Sequence, residues 1–238
     1  MLKTLSKTFL SLVFPVSCEL CSALLPAGGT PGVCSACRGH LQLIPPPWCA
    51  GCGRNTLDDK ERCGHCRNED LYFDRAFACA YYDDRMKELL HAFKFGRRRY
   101  LLPFFETLLK DFMQKNLSPD DWDVVVPVPM DGAHERERGF NQAKLFSAIV
   151  AKTSGKTHAG GALACRKSSA VQSSLTRLER KQNAAGRFLV RNTDGIASNR
   201  VLLVDDILTT GQTASSCAKA LKDAGARTVT VFALARGL

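Results

Sequence analysis

The chain of 238 residues is 45% hydrophobic and 24% charged, which is typical of one or two globular domains and excludes a wholly disordered protein. Its longest nearly apolar run covers residues 9–16, far short of the roughly 20 apolar residues that span a bilayer, so no membrane-spanning helix is predicted. The formal net charge of +10 favours a polyanionic partner, such as nucleic acid or a phosphorylated metabolite. Residues 1–66 carry six Lys and Arg against four Asp and Glu, so most of the excess positive charge follows residue 66.

The first segment, residues 1–17, combines two lysines with an apolar stretch and loosely resembles a secretory signal or a lipoprotein leader. Its apolar residues also fit one stripe of a helix. Export would place the cysteine pairs that follow in an oxidising compartment. We therefore predict a short docking helix over residues 1–17 of a cytoplasmic protein.

Eight of the eleven cysteines form four C-x-x-C pairs before residue 67. The pairs are Cys18 with Cys21, Cys34 with Cys37, Cys49 with Cys52, and Cys63 with Cys66. Four thiolates suit a tetrahedral zinc ion with no open ligand position, so residues 18–68 are predicted to hold two structural zinc ions. Sequential pairing, first pair with second and third with fourth, is favoured, and a cross-braced arrangement is the alternative.

From about residue 71 onward, strand and helix signals alternate, which predicts an α/β domain over residues 71–238. Strands are predicted at 76–82, 124–128, 200–205 and 228–234, and helices at 101–115, 142–152 and 213–224. The short apolar runs 201–204 and 229–231 fit strands that are buried on both faces of a parallel sheet.

The strongest chemical signal is VLLVDDILTTGQT, residues 201–213. Four apolar residues lead into Asp205 and Asp206, and a turn rich in hydroxyl groups follows. Parallel sheets bind ligands where a strand's carboxyl end opens into a helix, and such a turn offers N–H groups and hydroxyls to a phosphate. Adjacent carboxylates can hold two sugar hydroxyls, directly or through a magnesium ion.

At these residues the sequence closely resembles the phosphoribosyl-diphosphate (PRPP) motif of type I phosphoribosyltransferases. The resemblance implies that Asp205 and Asp206 meet the ribose hydroxyls at the catalytic centre. It also implies that the 5′-phosphate is cradled by Thr209, Thr210, Gly211, Gln212 and Thr213.

The wider order of motifs resembles the ComF family along nearly the whole chain. After the cysteine pairs come HAFKFG at 91–96, VPVP at 126–129, RGFNQ at 138–142, QxxL at 172–175 and RxxRxxN at 177–183. Members are phosphoribosyltransferase-like proteins that begin with a zinc ribbon and support the handling of incoming single-stranded DNA in natural transformation. The resemblance implies a type I phosphoribosyltransferase-like parallel sheet flanked by helices and preceded by a double zinc ribbon. It also implies PRPP with magnesium as ligand, and single-stranded DNA and a competence helicase or DNA-processing proteins as partners.

Five basic residues join the candidate PRPP site. Lys94 matches a basic segment of the family, and the loop after residues 126–129 supplies Arg136 and Arg138, whose charges suit a diphosphate. A surface turn capped by Arg138 is the alternative. Residues 166–191 carry a net charge of +6 and resemble the loop that closes over substrate in this fold, with Arg177 and Arg180 at matching positions.

Three functions remain open at the level of sequence. One is a transferase that uses PRPP and magnesium on an unknown acceptor. Another is a nucleic-acid-binding adaptor that retains only the fold. A third is a zinc-stabilised interaction protein regulated by PRPP. We favour a ComF-type protein that binds PRPP and acts in DNA uptake.

Overall fold

The computed structural model describes residues 16–26, 32–57, 62–64, 66–67, 69, 71–96, 98–166 and 187–237. The helix predicted over residues 1–17 falls almost entirely outside this range, and so do Arg177 and Arg180 of the predicted closing loop. None of the helices within the described ranges is both long and apolar enough to cross a membrane.

A five-stranded, wholly parallel sheet organises residues 75–236 of the chain. In chain order the strands are β1 (Arg75–Tyr81), β2 (Val124–Pro127), β3 (Thr157–His158), β4 (Leu163–Cys165), β5 (Phe188–Val190), β6 (Arg200–Leu208) and β7 (Thr228–Arg236). The order across the sheet is β1-β7-β6-β2-β3, and β4 pairs with β5 in a separate antiparallel ribbon. The predicted parallel α/β fold is confirmed.

Helices cover both faces of this sheet. They are α1 (Ser35–Gly39), α2 (Asp84–Phe95), α3 (Leu102–Asn116), α4 (Gly132–Arg138), α5 (Gln142–Ser154) and α6 (Gln212–Asp223), with 3-10 turns at Arg99–Leu101 and Pro119–Asp121. Three of the longer helices agree with the predicted ranges to within two residues. The helices α1, α2 and α4 and the short strands β3, β4 and β5 were not predicted from the sequence. The strands β3, β4 and β5 are only two or three residues long, too short to show a period. In contrast, α2 does carry the helical signal, because its buried residues 86, 89, 90 and 93 are spaced i, i+3, i+4 and i+7.

The central strands β6 and β7 are buried on both faces, as their apolar runs predicted. Residues 201–204 of β6 are at most 1% exposed. On one face, Phe93, Phe105 and Phe146 form an aromatic cluster with ring centroids 5.2–5.9 Å apart. On the other face, the small side chains of α6 pack against the same strands. Packing on both faces holds β6 in place and therefore gives the residues at its carboxyl end a defined position.

The segment between the two groups of cysteines lies along the edge of the sheet. The Ile44 N–H donates to the Cys79 carbonyl at 3.1 Å, and the Tyr81 N–H donates to the Gln42 carbonyl at 2.8 Å. The Trp48 ring then packs edge-on against Phe77, with centroids 5.9 Å apart. These contacts cover the exposed edge of β1 and attach the cysteine-rich segment to the sheet.

Candidate functional site

The acidic pair lies inside β6, close to the carboxyl end of this strand. The sequence placed the end of the strand at Asp205, whereas the strand continues through Asp206 to Leu208. Lys94, in the last turn of α2, reaches the pair, and its Nζ lies 2.6 Å from Asp206 Oδ2. Both side chains of this ion pair are largely buried. The structure thus brings together Lys94 and Asp206, which are far apart in the sequence.

The carboxyl of Asp205 has a strongly raised pKa. Burial is the main cause, and the neighbouring Asp206 carboxylate adds to it, so the pKa of Asp205 rises to about 8. The Asp206 backbone N–H donates to Asp205 Oδ1 at 2.8 Å, which opposes the rise only in part. In the free protein this carboxyl therefore holds its proton at neutral pH, and it would ionise when a cation or hydroxyl donors approach.

The predicted phosphate turn joins β6 to α6. Gly211 has a φ of +81°, a left-handed conformation that favours glycine, and it precedes the first residue of α6. The Thr210 hydroxyl accepts a hydrogen bond from the Gln212 N–H at 3.4 Å, while Thr209, Thr210 and Thr213 are exposed. The turn therefore presents hydroxyls and the N–H groups of a helix start to the solvent, as binding a phosphate requires.

A cleft of about 230 Å³ lies beside this turn. Of the residues predicted for the site, it is lined by Lys94, Arg138, Asp205, Asp206 and Thr213. Arg138 is held over the Phe95 ring, 4.6 Å from its centroid. The carboxyl end of the sheet thus brings basic side chains of α2 and α4 together with the acidic pair of β6. Ligands bind at this end of the sheet in this class of fold.

The loop predicted for Arg136 and Arg138 requires a correction. The sequence analysis placed Arg136 and Arg138 in a loop, but both lie in α4, a short helix that starts at the Asp131 cap and ends at Gly139. Successive side chains on a helix point about 100° apart, so residues two positions apart face different ways. Of the two arginines, Arg138 lines the cleft and Arg136 is exposed outside it.

The sequence analysis missed other cleft residues. They are His134, Asn141, Gln142 and Arg187, together with Asp131 and Phe188. Asn141 and Gln142 belong to the RGFNQ motif, which the sequence analysis used to recognise the family and to which it gave no role. That motif was the available signal for Asn141 and Gln142, and Arg187 lies in the basic segment 166–191 that was predicted to close over substrate. No pattern marked His134.

The eight cysteines of the C-x-x-C pairs form two clusters of four. The groups are Cys18, Cys21, Cys34 and Cys37, and Cys49, Cys52, Cys63 and Cys66, with all sulfurs of a group within 4.8 Å of one another. This is the sequential arrangement favoured from the spacing. Zinc–sulfur bonds near 2.3 Å in a tetrahedron place ligand sulfurs about 3.8 Å apart. The sulfur separations are 3.7 Å for Cys21 and Cys34 and 3.4 Å for Cys49 and Cys66, so both groups fit zinc.

Electrostatics inside the second cluster also fit a bound cation. Burial alone would raise the pKa of Cys49, but the N–H groups of Cys52 and Cys63 donate to its sulfur and lower the pKa to about 6. Burial and the neighbouring sulfurs raise the pKa of Cys66. Four thiols at these distances cannot all ionise without a compensating cation, and zinc supplies one.

The chain that follows the second cluster contacts the phosphate turn directly. Glu69 Oε2 accepts a hydrogen bond from Gln212 Nε2 at 3.2 Å, and the Tyr72 N–H donates to the Ser215 hydroxyl at 3.0 Å. The Phe73 ring lies against Gly211, where an added Cβ would be 3.5 Å from it. The second cysteine cluster is therefore one short segment away from the turn that begins α6.

Two family models match the chain. Residues 9–67 match the double zinc ribbon domain, and residues 106–238 match the phosphoribosyl transferase domain. The fold, the cysteine clusters and these matches define a phosphoribosyltransferase-like protein with a double zinc ribbon.

Curated relatives cover most of the chain. It is 27% identical over 213 residues to "Competence protein F" of Haemophilus influenzae, covering 86% of this chain and 90% of the relative. It is 31% identical over 211 residues to "Competence protein ComFC" of Bacillus subtilis, covering 86% and 84%. "DNA utilization protein YhgH" of Escherichia coli K12 is 27% identical over 230 residues, covering 95% and 100%. The chain belongs to the ComF family of competence proteins.

The solved structures that match the chain are less similar to it in sequence. Glutamine PRPP amidotransferase from B. subtilis, complexed with ADP and GMP, is 19% identical with a TM-score of 0.40, covering 54% of this chain and 25% of that one. Adenine phosphoribosyltransferase from Saccharomyces cerevisiae is 17% identical with a TM-score of 0.32, covering 60% and 69%.

Proposed function

We propose that this protein binds PRPP together with magnesium in the cleft beside β6 and acts in the handling of single-stranded DNA during DNA uptake. The observation that carries the PRPP proposal is the meeting of Asp205, Asp206 and Lys94 with the phosphate turn at one end of the sheet. Such a site combines acceptors for ribose hydroxyls, donors for a 5′-phosphate and positive charge for a diphosphate.

Each part of the site would serve a different part of the ligand. The turn from Thr209 to Thr213 would bind the 5′-phosphate through backbone N–H groups and hydroxyls. Asp205 and Asp206 would accept hydrogen bonds from the ribose hydroxyls, for which Asp206 must exchange its bond to Lys94. Lys94 and Arg138 would then be available for the diphosphate. Magnesium, when bound with PRPP, would neutralise charge on the diphosphate.

The role in DNA handling is supported by the names of the relatives and by charge. Two relatives are named competence proteins and a third a DNA utilization protein. Most of the +10 formal charge lies after residue 66. Binding that depends on several phosphate contacts should weaken steeply with salt, so affinity for single-stranded DNA would fall at least tenfold between 50 and 200 mM salt. A competence helicase or DNA-processing proteins would be the partners, in the cytoplasm, where the eight thiols stay reduced.

An active transferase on an unknown acceptor is the second candidate. Departure of diphosphate leaves positive charge at C1 of the ribose, and Lys94 and Arg138 are placed to stabilise the departing group electrostatically. Neither residue needs to form a covalent bond. Arg177 and Arg180, in the predicted closing loop outside the described residues, would exclude water at that step.

The test is a calorimetric titration of magnesium and PRPP into the zinc-loaded protein. Changing both Asp205 and Asp206 to Asn should lower the affinity at least 100-fold, whereas Asp194→Asn, an exposed acid outside the cleft, should leave it unchanged. Retained affinity in the double variant would contradict the proposal. Adding single-stranded DNA to the same samples tests DNA binding. Diphosphate released when candidate acceptors are then added would identify a transferase.

A further inference from the structure

Arg236, the last residue of β7, is a buried arginine that lacks an ion pair. It is 3% exposed, and its Nε and Nη1 have no hydrogen-bond partner among the described residues. None of the ion pairs formed within the described residues includes it. Arginine stays charged in proteins, and a buried charge is costly unless charge of opposite sign lies nearby. Arg236 therefore needs a counter-charge other than a carboxylate.

The second cysteine cluster lies beside Arg236. Leu71 packs against the cysteines and also against the core cluster that contains Leu208, the residue of β6 in register with Arg236. Burial lowers the pKa of Arg236, whereas three cysteines of the cluster raise it, with Cys52 contributing most. The influence is mutual, since burial raises the pKa of Cys52 and the charge of Arg236 opposes that rise. The sulfurs of this cluster are therefore placed to balance the charge of Arg236.

Arg54 adds a second positive charge at the same place. It follows Cys52 by two residues, and its carbonyl accepts a hydrogen bond from the Cys49 N–H at 2.7 Å. Its Nε is buried and has no partner in the described part of the chain. The two arginines also repel each other, because the charge of Arg54 helps to lower the pKa of Arg236. Two neighbouring positive charges in a buried setting require negative charge close by.

A zinc ion held by four thiolates supplies that negative charge. Zn²⁺ and four thiolates together carry two negative charges, which equals the positive charge of the two arginines. We propose that Arg236 and Arg54 are the counter-charges of the second zinc site and that they determine how tightly this site holds its metal. Neither arginine is a ligand, since the four sulfurs complete the tetrahedron. The proposal does not depend on PRPP binding.

This arrangement links the zinc site to the parallel sheet. The Arg236 carbonyl accepts a hydrogen bond from the Tyr82 N–H at 2.7 Å, and Arg236 pairs with Leu208, the last residue of β6. Loss of zinc would leave two positive charges without compensation next to the end of β6. Metal loading of the second cluster and the position of this strand end are therefore connected through charge.

The experiment compares the two zinc sites of the full, zinc-loaded chain. Arg236→Met removes the charge and keeps a long side chain, Arg236→Lys keeps the charge, and Arg54→Met removes the second charge. Arg227→Met, at an exposed arginine directly before β7, is the matched control. Each protein is challenged with increasing EDTA, and the released zinc is measured. Cysteines freed from metal are labelled with N-ethylmaleimide and located by mass spectrometry, so that the first cluster serves as an internal reference.

Arg236→Met should weaken zinc binding at the second cluster at least tenfold, within the range found when residues around metal ligands are changed. Zinc binding at the first cluster should change less than twofold. Arg236→Lys should stay within threefold of the parent, and Arg54→Met should weaken the second site at least threefold. All variants should still bind two zinc ions at saturating zinc, which separates lower affinity from failure to fold.

Three results would overturn the proposal. Equal losses at both clusters would indicate general destabilisation, and unchanged affinity at the second cluster would show that the arginines do not act on the metal. Failure of Arg236→Lys to retain affinity would assign the effect to the shape of the side chain instead of its charge. If Arg236→Met does not fold, Arg54→Met decides, and an effect below twofold at the second cluster counts against the proposal.

Discussion

Asp205 should make the free protein less stable than it would be with a neutral side chain at this position. Burial and the Asp206 carboxylate raise the pKa of Asp205 from 3.8 to about 8. The unfolded chain releases this proton near pH 4, whereas the folded chain keeps it to about pH 8, so stability falls as pH rises between these values. At 1.36 kcal/mol for each pH unit, the cost at pH 7 is at most about 4 kcal/mol.

The perturbation is Asp205→Asn, which removes the titrating proton and keeps an oxygen that can accept from the Asp206 N–H. The variant should be more stable than the parent, and its advantage should be about 2 kcal/mol larger at pH 7 than at pH 5.5. Urea denaturation of the zinc-loaded protein without PRPP measures both stabilities, and any effect of pH on the zinc sites is common to the two proteins. An advantage that does not change with pH, or a less stable variant, would refute this reasoning.

Four further outcomes follow from other contacts in the structure. Lys94→Met should leave the largely buried Asp206 carboxylate without its ion pair. The free energy of unfolding should fall by about 1–3 kcal/mol and PRPP affinity at least tenfold. An unchanged urea midpoint would contradict this. Elemental analysis should find two zinc ions per chain. Cys49→Ser should weaken PRPP binding more than Cys18→Ser, because among the described residues it is the second cluster that adjoins the phosphate turn. Equal losses of PRPP affinity would argue against that link. Gly53→Ala should cost about 2–4 kcal/mol in urea denaturation, since its Cβ would lie 2.2 Å from the Ala76 carbonyl oxygen at a φ of +70°. Gly64→Ala should be nearly neutral, because its added Cβ meets no atom of the described residues within 4 Å.

Local patterns in the sequence were sufficient to predict much of the fold and the part of the candidate site formed by β6 and the turn after it. The apolar run before Asp205 predicted a strand buried on both faces, and the turn that follows it was placed correctly between that strand and α6. The spacing of the cysteine pairs predicted the two clusters and their sequential pairing. In each case the residues that form the pattern lie within about twenty consecutive positions, so the geometry of the chain limits how they can be arranged.

The remaining features depend on contacts between distant residues. The ion pair of Lys94 with Asp206 exists because α2 and β6 end at the same edge of the sheet, which no local pattern expresses. Arg136 and Arg138 look alike in the sequence, and only the helical turn of α4 separates their directions. The amide of Gln142 has no hydrogen-bond partner among the described residues, which is visible only once its surroundings are known.

The position of β7 has a consequence for how the sheet is built. This strand lies between β1 and β6 and pairs with both, although β1 is synthesised far earlier. Asp74, next to β1, and Val229 in β7 are hydrogen-bonded across 155 positions of the chain. Until β7 leaves the ribosome, β1 lacks its neighbour in the sheet, whereas each cysteine cluster can close within a short segment. Metal binding by the cysteines can therefore precede completion of the sheet. Lys94, which follows β1, joins the acidic pair of β6 only when β7 inserts between these strands.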